Sequence, residues 1–172
     1  PVLIICSFLI FIEDGLPIFF IQNRTGWDGR RFKLYKLRSL YNKRYDPKIQ
    51  IEKVDNRKLK IGNFIRRYSI DEIPQFLNVL KGEMSIVGPR PHPVSLDLSY
   101  ANLYESFLTR YRCNPGLTGW SQINGFRGPT KNPEFMKKRM DLDIWYLNNW
   151  SLALDLYIIC RTFYAIFKHK GD

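Results

Sequence analysis

The chain opens with twelve nearly uninterrupted apolar residues, PVLIICSFLIFI, in which Ser7 is the one polar side chain, and the run stops at Glu13 and Asp14. As a helix it would reach about 18 Å against a hydrocarbon core of about 30 Å, so it cannot cross a bilayer alone. It has neither the basic flank nor the small-residue cleavage site of a secretory signal. Two readings stay open: the second half, over residues 1–16, of a longer membrane element, or a buried core helix. The next stretch, PIFFIQNRTGWDGRRFKLYKLRSL, changes period. An apolar run at 17–21, a turn rich in Gly and Asp, and a second run from Arg31 predict a β-hairpin. In its second strand Phe32, Leu34, Lys36 and Arg38 share one face, so two cations project side by side from a stiff element.

Residues 42–60 are polar and aperiodic and predict a surface excursion. In the segment that follows, Pro74 dictates the geometry, because proline is comfortable only in the first turn of a helix. A helix must therefore begin close to Asp71, capped either by Asp71 itself or by Ser69 with Glu72 as its capping-box partner, and Gly82 ends it. MSIV then reads as a short strand. Arg90 lies between Pro89 and Pro91, which confine its backbone and give it a rigid mount. A helix is expected from Tyr100 to Arg112. The stretch NPGLTGWSQINGFRGP sets four glycines and two prolines around Trp120. Such a loop either turns a hairpin or approaches a ligand closely, and in the second case Gly116, Gly119 and Trp120 are candidates for holding a nucleotide. Asn132-Pro133-Glu134 is a helix start. Two helices close the chain, and the second, SLALDLYIICRTFYAIFK, has an apolar face too wide for a water-facing helix. Arg161, Lys168 and Lys170 argue against a full span, which leaves an interfacial amphipathic helix. Together these elements predict one α+β, mostly helical domain, a small β-hairpin packed on helices with membrane elements at both ends.

Charge changes this picture by naming a partner class. The chain carries 27 Lys and Arg against 16 Asp and Glu, a formal net charge of +11, which favours nucleic acid, an acidic bilayer or a phosphorylated substrate. No nucleic-acid module pattern occurs, so nucleic acid is set aside. Cys6, Cys113 and Cys160 are too scattered for a disulfide framework or metal-ligand spacing, which favours a reducing, cytoplasm-facing compartment.

The candidate chemistry lies in SIDEIPQF. Two acids at a helix N-terminus can simply satisfy orphan N–H groups. If Lys36, Arg38, Arg66, Arg67 and Arg90 converge on them, however, they form a pocket for phosphates, with Asp71 and Glu72 available to a divalent metal or for attack. A carboxylate so placed has its charged form favoured and is ionised at neutral pH. Its attack on a phosphate requires cations or Mg²⁺ on the phosphoryl oxygens.

The segments QNRTG (22–26), KLYKLRSL (33–40), SIDEIPQFLNVLKGEMSIVGPRP (69–91), NPGLTGWSQINGFRG (114–128) and DLDIWYLNNWSLALDL (141–156) resemble, in order, the bacterial sugar transferases of the monotopic polyprenyl-phosphate phosphoglycosyl transferase type. The resemblance implies a two-step exchange at the cytoplasmic face of the bacterial inner membrane. A UDP-sugar loses UMP to a covalent aspartyl phosphosugar, which undecaprenyl phosphate then takes up, as the first membrane step of polysaccharide or glycoconjugate synthesis. It casts Asp71 as nucleophile, Glu72 as its partner in metal handling or proton management, Lys36, Arg66 and Arg90 as phosphate ligands, and Mg²⁺ as cofactor held by Asp71 and Glu72. Residues 17–140 become the catalytic domain, 141–172 the C-terminal helices, and Pro1 the break of a re-entrant helix whose first half precedes it. The variable loop after Gly125 is a candidate for sugar choice. A homo-oligomer stays open, as does the alternative of a non-catalytic basic module on the membrane surface that binds anionic lipid or glycan.

Overall fold

In the computed structural model, residues 1–42, 55–101, 103–129 and 132–168 are described. The apolar opening forms helix α1 (Val2–Asp14), which buries Cys6 and Ile10 against Leu37, Leu59 and Ile65 and leaves Ile4, Phe8 and Ile12 exposed. One stripe of α1 is thus core, while the rest of its apolar surface faces outward. Among the described residues no helix is long and apolar enough to cross a membrane.

The hairpin forms as its period predicts. Strands β1 (Phe19–Thr25) and β2 (Arg31–Leu37) pair antiparallel from Phe19↔Leu37 to Thr25↔Arg31. Phe32 and Leu34 are buried with Met84 on one face of β2. The two cations on that face diverge at its end: Lys36 turns to Glu72, whereas Arg38 pairs with Asp14 and donates to the carbonyl of Gly15 at 2.7 Å.

Of the polar stretch 42–60, residues 43–54 lie outside the described residues. Its last part is not a surface excursion, for Leu59 is fully buried and Lys60 already begins α2 (Lys60–Arg67). An apolar residue among charges was enough to draw the chain back to the core.

The helix expected near Asp71 is delayed. A 3₁₀ segment, Ile70–Gln75, comes first and leads into the short α3 (Phe76–Leu80). Neither predicted cap operates: Ser69 stands before the segment in the left-handed region (φ 56°, ψ 22°) with no side-chain cap bond. The tight turn, closed by Glu72 N–H to the Ser69 carbonyl at 3.1 Å, takes Pro74 before an α-helical ladder needs its missing N–H. Gly82, at φ 73°, follows α3 as expected.

Strand β3 (Ser85–Val87) pairs parallel with β4 (Gly116–Thr118), and α5 (Trp120–Ile123) follows, so the glycine-rich stretch turns no hairpin. Its glycines admit backbone instead. A Cβ on Gly116 would lie 2.1 Å from the Gly88 nitrogen, and one on Gly119 would lie 2.2 Å from the Gly88 carbonyl oxygen.

The helix expected over 100–112 is divided into α4 (Val94–Ala101) and a 3₁₀ segment, Glu105–Arg112, with Tyr104 extended between them. The break lets Phe107 bury fully against Tyr100, Met136 and Met140, a case of packing overriding local propensity. Helix α6 (Pro133–Asn148) starts as predicted, with the Asn132 side chain accepting from Phe135 N–H at 2.7 Å. Helix α7 (Leu152–Phe167), capped by Ser151, seats Ile158 against Val87 and Tyr146 and exposes Leu152, Leu156 and Phe163. The fold is mostly helical with a small antiparallel hairpin, joined by a parallel strand pair that periodicity did not predict.

Candidate active site

The outer edge of β2 is closed by one buried side chain. Asn78 on α3 donates to the Lys33 carbonyl at 2.7 Å and accepts from Tyr35 N–H at 3.2 Å. This stitching sets the 3₁₀ segment across the end of β2, where Lys36 projects. The left-handed turn at Ser69, an uncommon conformation for a non-glycine residue, then presents Asp71 and Glu72 together.

Glu72 lies at the junction of three cations. Its Oε1 accepts from Lys36 Nζ at 2.7 Å and from Arg90 at 2.6 Å, and its Oε2 accepts from Arg127 at 2.8 Å. Arg127 also donates to Ser69 Oγ at 2.8 Å, locking the strained turn to the loop after α5. Asp71, the more deeply buried of the two acids, lines a cleft of about 610 Å³ with Lys36, Arg66, Arg90, Arg127 and Arg139.

The two neighbouring acids are driven apart electrostatically. Burial works to raise Glu72, but Arg90, Lys36 and Arg127 outweigh it and hold the group well below the usual carboxylate range. Burial wins at Asp71, where Lys36 opposes it and the Glu72 charge reinforces it, and the carboxyl is pushed up to about 6. The expectation that cations would favour the charged form therefore holds for Glu72 and fails for Asp71, because desolvation outweighs the surrounding charge. Near pH 7 Asp71 is still mostly ionised, and it is the more basic of the pair.

Lys36, Arg66, Asp71, Glu72 and Arg90, five positions chosen from the sequence, thus meet at one place. Gly116, Gly119 and Trp120 are not among the residues lining the cleft; Trp120 stacks on Trp145 with ring centres 4.8 Å apart. Arg127 was not singled out by the sequence, although the loop carrying it was, because a lone arginine between Phe126 and Gly128 has no period to betray it. His92 and Arg139, on the cleft wall, join Arg110 and Asp143 behind it in a buried polar group that was not foreseen either.

Among the described residues no group of three or more His, Cys, Asp or Glu is placed to hold a metal ion. Mg²⁺ needs only one or two carboxylates when substrate phosphates complete its shell. Asp71 fits that role. Glu72 fits it poorly, with both oxygens already engaged by cations.

The site is thus a basic cleft that pairs a charge-clamped carboxylate with a more basic one, on an α+β scaffold with apolar outer faces. The chain belongs to the bacterial sugar transferase family, whose pattern matches residues 1–169. It is 43% identical over 172 residues to a UDP-glucose:undecaprenyl-phosphate glucose-1-phosphate transferase of Escherichia coli (strain K12), covering 99% of this chain and 37% of that protein. It is 43% identical over 164 residues to the sugar transferase EpsL of Bacillus subtilis (strain 168), covering 95% and 76% respectively. A UDP-N-acetylgalactosamine-undecaprenyl-phosphate N-acetylgalactosaminephosphotransferase of Aeromonas hydrophila is 34% identical over 172 residues, covering 99% and 40%. The chain thus spans under half the length of two of these three relatives.

Proposed function

We propose that this chain is the catalytic portion of a phosphoglycosyl transferase that moves a sugar 1-phosphate from a UDP-sugar to undecaprenyl phosphate. The observation that carries the reading is the splitting of the Asp71–Glu72 pair inside a ring of cations. In the first half-reaction an Asp71 carboxylate oxygen attacks the β-phosphorus of the UDP-sugar and the bond to the bridging oxygen breaks. UMP leaves with that electron pair, and the sugar phosphate remains as an aspartyl acyl phosphate. In the second, a phosphate oxygen of undecaprenyl phosphate attacks the same phosphorus, the bond to Asp71 breaks, and the carboxylate is restored. Lys36, Arg66, Arg90 and Arg127 neutralise the diphosphate on approach, and Glu72 fixes three of those cations in place. Mg²⁺, held by Asp71 and the substrate's phosphates, would withdraw charge from the phosphoryl oxygens.

The exposed apolar faces of α1 and α7 support a seat in the cytoplasmic leaflet of the bacterial inner membrane, next to a lipid-borne acceptor. Relatives named for glucose and for N-acetylgalactosamine transfer both align with nearly the whole chain, so the sugar is read from a panel. The test is UMP release by the full-length protein in nanodiscs, from several UDP-sugars, with Mg²⁺ and undecaprenyl phosphate. Release with one sugar, lost in Asp71→Asn, is the expected result. A folded protein silent with every sugar would overturn the reading in favour of a non-catalytic surface that binds anionic lipid or glycan.

A further inference from the structure

Glu72 is held by two arginines that lie in loops. Arg90 is in the connection from β3 to α4 and Arg127 in the connection from α5 to α6, yet their guanidinium groups reach opposite oxygens of one carboxylate at 2.6 and 2.8 Å. Loops do not by themselves fix such spacing.

Behind them lies a second pair of arginines, each only 3% exposed. Arg110 donates to the backbone carbonyl of Arg90 at 2.9 Å. Arg139 donates to the carbonyl of Gly128, the residue after Arg127, at 2.5 Å. The two inner guanidinium groups meet opposite edges of one imidazole: Arg110 lies 3.0 Å from His92 Nδ1 and Arg139 lies 3.1 Å from His92 Nε2. The ring is stacked on Phe107 at 6.4 Å between centres. Arg110 is tied in turn to Asp143 at 2.8 Å. Asp143 and Arg139 are four residues apart on α6, one above the other on the same face, so a single rigid helix supports both ends of the brace.

Burying two guanidinium groups beside the carboxylates of Asp143 and of Asp97, the latter 3.5 Å from His92 Nδ1, is costly, and apolar residues of similar volume would commonly give equal or better stability. Placement explains the arrangement better than stability does. Each inner arginine ends on the backbone of a loop whose side chain clamps Glu72, and His92 sets the distance between them.

We propose that Arg110, His92 and Arg139 are positioning residues that hold Arg90 and Arg127 in register on Glu72. The proposal rests on the reading of the cleft as a phosphotransfer site, and its effect on turnover passes through the clamp.

The test is a double-mutant cycle on UMP release, joined to a structure. His92→Phe keeps the stacked ring and removes both nitrogens. Arg139→Lys keeps the charge and reaches only one of its two acceptors. Either change is expected to slow UMP release about 10- to 100-fold, as small misplacements of reacting groups do, and to cost less than about twofold more in a background carrying both Arg90→Met and Arg127→Met, since residues acting through one another are not additive. The same loss in both backgrounds would show a role outside the clamp, in folding or in direct contact from the cleft wall, and overturn the proposal. A crystal structure of His92→Phe should show Arg90 or Arg127 withdrawn from Glu72, and both still within hydrogen-bond distance would also overturn it. Should His92→Phe fail to fold, Arg139→Lys supports the same two measurements. The structural arm needs no turnover, so a wild type that releases no UMP from any UDP-sugar would defeat the functional reading without deciding this one.

Discussion

The Glu13 carboxylate, in the last turn of α1, accepts a hydrogen bond from the backbone N–H of Lys60 at 2.6 Å and so closes the open end of α2. It also accepts from Ile61 N–H at 3.2 Å and from the Tyr41 hydroxyl at 2.9 Å. Leu59, at the cap position of α2, supplies no side-chain bond of its own, and Arg66 in the last turn of the same helix lines the cleft. The outward-facing first helix is therefore part of the mounting of the site. Glu13→Ala should cost about 1 kcal/mol, the usual worth of an N-cap, read as a lower unfolding midpoint in urea. It should also weaken UMP release by more than that loss of stability explains, because α2 carries Arg66. Unchanged turnover in a destabilised variant would limit Glu13 to folding.

Asp71 provides a prediction of opposite sign. Its carboxyl is raised above the ordinary carboxylate range to about 6, so its stabilising contribution is present below that ordinary range and lost as pH rises through about 6. Asp71→Asn removes the buried charge. At pH 7 the variant should melt no lower than wild type, and its advantage should grow as pH is raised from 4 to 7, while UMP release disappears. In wild type, release should fall as pH drops through about 6 and Asp71 takes up a proton. A variant that melts well below wild type at pH 7 would contradict this account of the Asp71 environment.

Arg127 makes the same kind of contact with Glu72 as Arg90 does, from the other side. Arg127→Ala and Arg90→Ala should each lower kcat/KM for the UDP-sugar by at least about tenfold, in keeping with charge-assisted bonds of about 1.5–3 kcal/mol. Arg67→Ala should have little effect, since Arg67 lies outside the cleft lining, over the ring of Tyr68 at 5.9 Å. Steady-state kinetics on the three variants distinguishes a clamp from general basicity.

The parts of this arrangement that were legible in the sequence are those that a local signal fixes. Two-residue alternation placed Phe32, Leu34 and Lys36 on one face, Asn132-Pro133 opened α6, and Gly82 followed α3. Pro74 correctly drew attention to an abrupt helix entry at Asp71, but a 3₁₀ turn and an α-helical first turn tolerate the same proline, so the frame was misjudged. Arg127, Arg139 and Asn78 could not be found in this way. Each acts across 40 residues or more of intervening chain, on Glu72, His92 and Lys33 respectively, and nothing beside them in the sequence records such a partner. The direction of the shift at Asp71 was misjudged for a related reason, although the group is ionised near pH 7 as expected: neighbouring cations can be read from a sequence, whereas burial is known only once the chain is folded.

Gly88, Gly116 and Gly119 form a contact that a single methyl group would break. At Gly116 an added Cβ would sit 2.1 Å from the Gly88 nitrogen, and the atoms in conflict are backbone, which cannot turn aside. Gly116→Ala and Gly119→Ala should therefore cost more than about 3 kcal/mol, the upper end of ordinary overpacking, and should reduce folded yield for every ligand tested. Gly128→Ala, where no atom lies within 4 Å of the added carbon, is the control and should leave the melting temperature close to wild type. Folded Gly116→Ala protein with a selective rise in KM would restore these glycines to a nucleotide loop.

The exposed line Ile4, Phe8 and Ile12 on α1 makes a lipid seat testable apart from folding. These side chains are 74%, 61% and 65% exposed, whereas Ile10 on the same helix is fully buried. Replacing Phe8 with Asp removes apolar contact from the outer face and adds a charge that a hydrocarbon interface resists, while no core contact is lost. Phe8→Asp should thus keep the wild-type melting temperature in detergent and partition at least about tenfold less well onto vesicles of anionic phospholipid, measured by flotation. Ile10→Asp should fail to fold, because it sets a charge among Cys6, Leu37, Leu59 and Ile65. If Phe8→Asp floats with vesicles as wild type does, an α1 seat is overturned, the exposed Leu152, Leu156 and Phe163 of α7 are the face to test next, and α1 would then serve through its inner stripe and the Glu13 cap alone.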